Sequence, residues 1–125
     1  MLVYIILLYI TRFSYECKNK NIISLSEIII TIKGSGNQQI IYNSFSYTPN
    51  LIYINGEAQD SGGKTVNNLS KEINLIKVAW NQPLQTCNSM FKGLSNIIYI
   101  DLSNFDTSQL TNIDNMFYEH IIDFY

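Results

Sequence analysis

The chain has 125 residues, room for a single domain. Its 8 Lys and Arg against 10 Asp and Glu give a net charge of −2, so no global basic field is present and no nucleic-acid partner is expected. Charged residues make up 14% and hydrophobic residues 46%, a balance that excludes disorder because it supplies a core. Isoleucine (21) and asparagine (15) are abundant, whereas alanine occurs only at Ala58 and Ala79. β-Branched residues favour pleated sheet and the best helix former is scarce, so composition predicts a β-rich chain.

Met1 to Ile10 reads MLVYIILLYI and stops at Thr11-Arg12. Such a run is too short to span roughly 30 Å of hydrocarbon as a helix, but it matches the apolar region of a secretory signal. Residues 1–15 are therefore read as a signal peptide with cleavage near Ser14 to Glu16, and the chain as secreted or exposed at the cell surface. The competing reading is a buried first strand. No later stretch reaches ~18 apolar residues, so no stable transmembrane anchor is expected. In an exported chain Cys17 and Cys87 form an even pair that a disulfide can join; the plainer reading makes Cys87 a small buried apolar residue. Export would also make Asn68, in Asn68-Leu69-Ser70, an N-glycosylation acceptor.

Residues 16–83 read as an antiparallel β cap. Glu27 to Lys33 (EIIITIK) is a strand closed by the turn Gly34-Ser35-Gly36, and Gln39 to Tyr42 is a shorter candidate. Asn50 to Asn55 (NLIYIN) alternates and runs into Asn55-Gly56, a two-residue hairpin signal. The polar EAQDSGG that follows delays the expected return strand to Lys64 to Asn67. Ile73 to Trp80 is the next strand, and Pro83, which cannot donate to a ladder, ends it.

From residue 84 to 125 the texture changes. Ser89-Met90-Phe91 returns as Asn115-Met116-Phe117, 26 residues on, with Cys87 answering Ile113 and Asn88 answering Asp114. Between them Ile98 to Leu102 reads as a short strand, and Phe105 and Leu110 fit a chain turning corners around a narrow core. Asn96, Asn104 and Asn112 recur at steps of eight, as corner residues. A period of 20–29 residues with an x-L-x-L strand marks a leucine-rich-repeat coil, which buries its faces by stacking. The core expected from this pattern is Met90, Phe91, Leu94, Ile98, Ile100, Leu102, Phe105, Leu110, Ile113, Met116 and Phe117.

Over Cys87 to Phe117 the chain resembles BspA-type leucine-rich-repeat surface proteins, with Met90-Phe91, Ile100-Asp101-Leu102-Ser103, Phe105-Asp106-Thr107-Ser108 and Leu110-Thr111-Asn112-Ile113 standing for that repeat's elements. The segment VAWNQPLQTCNSMF is similar to what leads into such repeats in protist members. The resemblance implies a β-rich fold (α+β class): an antiparallel cap followed by a short solenoid coil of about one full repeat. It also implies a non-catalytic surface or secreted protein making protein or glycan contacts. The continuation expected after Phe117 is replaced by Tyr118 to Tyr125, which reads as truncation. The alternative is therefore a gene remnant without a ligand, self-associating through its open repeat end.

Three further signals are weaker, the first of them leaving nucleotide binding at Lys64 as a second alternative. AQDSGGKT at Ala58 to Thr65 loosely fits a phosphate-cradling loop, with Lys64 as the phosphate ligand, but Ala58 replaces the first glycine and Asp60 puts negative charge in the nest. Asp101, Asp106, Asp114, Glu119 and Asp123 match no calcium-loop spacing, and Asp106-Thr107-Ser108 is read as a turn closed by side-chain to backbone bonds. His120 is the only histidine, and no triad or paired carboxylates accompany it, so no catalytic residues, cofactor or metal site are assigned. Trp80 is expected to pack where the two parts join. Tyrosine and asparagine enrich adaptable binding surfaces, although an AT-rich coding sequence supplies both without selection for binding.

Overall fold

The computed structural model describes residues 26–60 and 62–119. The segment expected as a signal peptide, the expected cleavage site, Cys17, His120 and Asp123 lie outside the described residues. Seven strands and no helix are found within them: β1 (Ser26–Lys33), β2 (Gly36–Gln39), β3 (Leu51–Ile54), β4 (Glu57–Ala58), β5 (Thr65–Leu69), β6 (Ile73–Trp80) and β7 (Ile97–Asp101). The chain is β-rich, and the helical share of an α+β class does not appear among these residues.

Strands β1 and β6 are long because their sequences alternate. In β1, Ile28, Ile30 and Ile32 point to one face and are fully buried, while Ile29 and Thr31 point to the other. β6 pairs with β1 antiparallel, placing Val78 opposite Ile28 and Ile76 opposite Ile30. β3 adds Ile52 and Ile54 to the same two rows, and β7 adds Ile100 opposite Ile30. The sheet therefore runs β4-β3-β6-β1-β7, antiparallel throughout and open at both edges. Each fully buried isoleucine among them (Ile28, Ile30, Ile32 and Ile76) stabilises the fold by about 1.5–3 kcal/mol.

The hairpin at Asn55-Gly56 closes at once. Its return strand is β4, not the expected Lys64 to Asn67 segment, because Asn55 takes the left-handed conformation (φ 51°) that the tight turn requires. Thr65–Leu69 is a strand, but it pairs with β2 in a separate two-stranded sheet. The short strand expected at Gln39 to Tyr42 sits earlier, at Gly36–Gln39; Ile40 and Ile41 leave the ladder and are fully buried. Asn74 is the buried polar residue that ties these turns. Its side chain accepts from Asn55 Nδ2 (3.1 Å) and donates to the carbonyls of Lys71 (2.9 Å) and Gly34 (3.2 Å).

One hydrophobic core crosses positions 83 and 84. It gathers Ile28, Ile76 and Val78 from the sheet with Phe45, Leu84 and Phe91 from the loops. Trp80, 2% exposed, packs its ring edge against Phe105 at 6.4 Å between centroids, so it does bridge the two halves of the sequence. The Oγ of Ser26, also buried, accepts from the N–H of Asp106 and fixes the start of β1 to the same corner.

Candidate functional site

Beyond β6 the backbone makes two rows that stack in parallel. Residues 85–93 lie against residues 111–118, joined by Cys87 N–H to Asn112 O (2.8 Å), Ser89 N–H to Asp114 O (3.0 Å), Phe91 N–H to Met116 O (2.9 Å) and Gly93 N–H to Tyr118 O (2.9 Å). The N–H of Thr111 returns a bond to Gln85 O, and Thr86 and Asn112 form a parallel bridge. Equivalent residues also share conformation. Ser89 and Asn115 are left-handed (φ 61° and 53°), as are Gly93 and Glu119 (φ 68° and 60°). The Thr86 hydroxyl accepts from the N–H of Asn88, just as Asn112 Oδ1 accepts from the N–H of Asp114.

The corners use their carboxylates and amides in the same way. Asp101 accepts from Ser103 N–H and Asp106 from Ser108 N–H; the backbone and then the hydroxyl of Ser103 hold Asp101 below its ordinary pKa, and the hydroxyl and then the backbone of Ser108 do the same for Asp106. The backbone carbonyls of Asn96, Asn104 and Asn112 each accept an N–H from another segment, from Lys33, Glu27 and Cys87 respectively.

The expected repeat core divides. Met90, Phe91, Leu94, Phe105 and Met116 are buried, and Ile100 and Leu110 pack partly against the core. Ile98 (47% exposed), Leu102 (38%), Ile113 (63%) and Phe117 (40%) are not buried, which corrects the expectation. At β7 the cause is register. A bulge between Thr31 and Ile32 pairs Ile32 with Ile97, so Ile97 turns inward and Ile98 outward. Leu102 lies just past the strand end, where the chain turns. At Ile113 and Phe117 the cause is that the second row has a neighbour on one side only among the described residues, although Phe117 stacks on Phe91 at 5.9 Å. Cys87, the counterpart of Ile113, is fully buried, and burial pushes its thiol up to about 11.

Lys64 does not face a phosphate nest. Its ammonium donates to the carbonyls of Asn43 and Phe45, and strand β5, not a helix, follows it. Asn68 is exposed in β5 in the left-handed conformation (φ 56°), its N–H donating to Asn37 Oδ1. No group of three metal-ligating side chains converges among the described residues, and no helix there is long and apolar enough to cross a membrane.

The loop that Lys64 holds forms one wall of a cleft of about 630 Å³. Its other walls are residues 85–89 and 111–112, one stretch from each stacked row. Every side chain lining it is a hydroxyl or an amide, with Tyr42 and Tyr47 as the aromatic surfaces and no charged group. The sequence did not disclose this cleft, because its three walls are distant in the chain and carry no motif. No family model, no curated protein and no solved structure matches the chain.

Proposed function

We propose that the chain is a non-catalytic leucine-rich-repeat protein, secreted or exposed at the cell surface, which acts by contacting protein or glycan. The observation that carries this reading is the ladder between residues 85–93 and 111–118. It repeats the 26-residue sequence period in hydrogen bonds, in left-handed positions and in side-chain turns. That regularity supports a solenoid coil seated on a β cap, a design that makes surfaces and not reaction centres. The exposed Ile113 and Phe117 also favour self-association through the second row. Two measurements on the full chain in its host test the reading. Surface labelling of intact cells is expected to tag the protein, and purified protein is expected to bind extracellular material saturably. Retention of an intact Met1 on a cytosolic product, or absence of any saturable binding, overturns it.

A further inference from the structure

We propose that the cleft between the 42–47 loop and the two stacked rows is a binding site for a neutral oligosaccharide, an inference that rests on the surface-contact reading above and narrows it. Small-molecule sites of this size are ordinarily lined by apolar side chains with a few polar groups. This lining is the reverse, all neutral hydroxyls and amides. Such walls reward a ligand that brings many hydroxyl groups of its own, since each finds a partner when water leaves. The lining side chains carry no formal charge; the ammonium of Lys64 is spent on the carbonyls of Asn43 and Phe45, and that of Lys92 stands 5.9 Å from the Tyr42 ring centroid. A cleft of about 630 Å³ lies within the range of small-ligand sites, a size that suits a short sugar chain better than a flat protein surface.

The polar groups are also uncommitted. The hydroxyls of Tyr42, Ser44, Ser46 and Tyr47 and the amide Nδ2 atoms of Asn88 and Asn112 have no hydrogen-bond partner among the described residues. Their neighbours are spoken for: Thr86, Ser89 and Thr111 donate their hydroxyls to Asn112 O, Asn88 Oδ1 and Gln85 O. Tyr42, with the Lys92 ammonium 5.9 Å from its ring centroid, and Tyr47, tilted against Phe45 at 5.8 Å, add aromatic surface for the polarised C–H groups of a sugar ring. Because Asn88 belongs to one row and Asn112 to the other, a bound sugar bridges the ladder and tightens it.

The test is titration of the full chain with a panel of neutral oligosaccharides built from glucose, galactose, mannose and N-acetylglucosamine. Sialylated and sulfated forms of the same cores serve as the anionic arm, and binding is followed by amide chemical shifts and by thermal stability. At least one neutral sugar is expected to saturate and raise Tm, as any ligand of the folded state does. The shifts are expected at residues 42–47, 85–89 and 111–112, with no gain from sialylation or sulfation. Ser44→Trp and, separately, Ser46→Trp fill the space from exposed positions and abolish binding without lowering the Tm of the free chain. Asn88→Asp keeps the acceptor for Ser89 but loses the donor, weakening affinity about threefold to tenfold. Failure of every neutral sugar at millimolar concentration, binding of anionic forms alone, or full binding by both tryptophan variants overturns the proposal. Cell-surface binding that survives Ser44→Trp sinks the cleft and leaves the surface-contact reading standing; sugar binding without any contact to extracellular material does the opposite.

Discussion

The two stacked rows have the same backbone and opposite environments. Residues 85–93 lie between the 42–47 loop and the second row, and Cys87, Met90 and Phe91 are wholly buried. In residues 111–119 the equivalent Met116 is buried, but Ile113 is 63% and Phe117 40% exposed. Matching backbone conformations therefore do not confer matching burial. In a stacked architecture the local fold is set by the row, and the stability of each residue by what lies on its far side.

Truncating the paired aromatics tests that division most sharply. Phe91→Ala should destabilise the chain by about 3–5 kcal/mol in denaturant unfolding, the range for a buried phenylalanine. Phe117→Ala should cost less than half as much. Equal losses would mean that the second row is as enclosed as the first.

A thiol placed in either row should report the same difference chemically. With Cys17→Ser as background, Cys87 in the folded chain should resist alkylation at pH 8, while a variant with Cys87→Ser and Ile113→Cys should label at the rate of an exposed thiol. Burial raises the Cys87 pKa from 9.0 to about 11, so the folded state keeps a proton that the unfolded chain releases. The associated stability is full below pH 9.0, falls as pH approaches 11 and is absent from Cys87→Ala measured in parallel. A pH-independent difference between the two proteins in that window would refute the burial argument.

Smaller effects are expected where the rows share backbone conformation with different residues. Gly93 is left-handed without steric cost, whereas Glu119 holds the same conformation against its Cβ. Glu119→Gly should stabilise by up to about 1 kcal/mol and Gly93→Glu should destabilise by a similar amount. Smallest of all is the acid limb. Asp106, held low by its bond to Ser108, contributes stability that is present above the ordinary carboxyl pKa and lost as pH falls through its depressed value. Asp106→Ala should flatten that part of the stability–pH curve, and Asp106→Asn, which keeps the acceptor, should retain the turn.

Much of the five-stranded sheet was legible because its signals are local. EIIITIK and INLIKVAW alternate strongly enough to announce β1 and β6, and Asn55-Gly56 announces its turn. The partner of β7 was not legible. Pairing Ile100 with Ile30 joins segments that share no nearby turn, and no local pattern specifies it. The bulge opposite Thr31 then decided between Ile97 and Ile98, two identical residues that sequence alone treats alike. Stacking was visible as the Met-Phe recurrence, while the exposure of Ile113 and Phe117 was not, because the recurrence gives both rows apolar residues at the same positions. The cleft depended on where Lys64 pins the 43–45 loop, an event of tertiary structure.

The central place of β1 has a consequence for how the protein comes into being. Ser26–Lys33 is the earliest described strand to leave a ribosome, yet its flanking partners are residues 73–80 and 97–101. At about 5–20 residues per second, several seconds pass before both have been synthesised. Throughout that interval a run of three consecutive isoleucines, of the kind that seeds intermolecular sheets, has neither neighbour in place. The yield of native protein is then governed less by the final stability of the sheet than by how well this one strand is shielded while it waits.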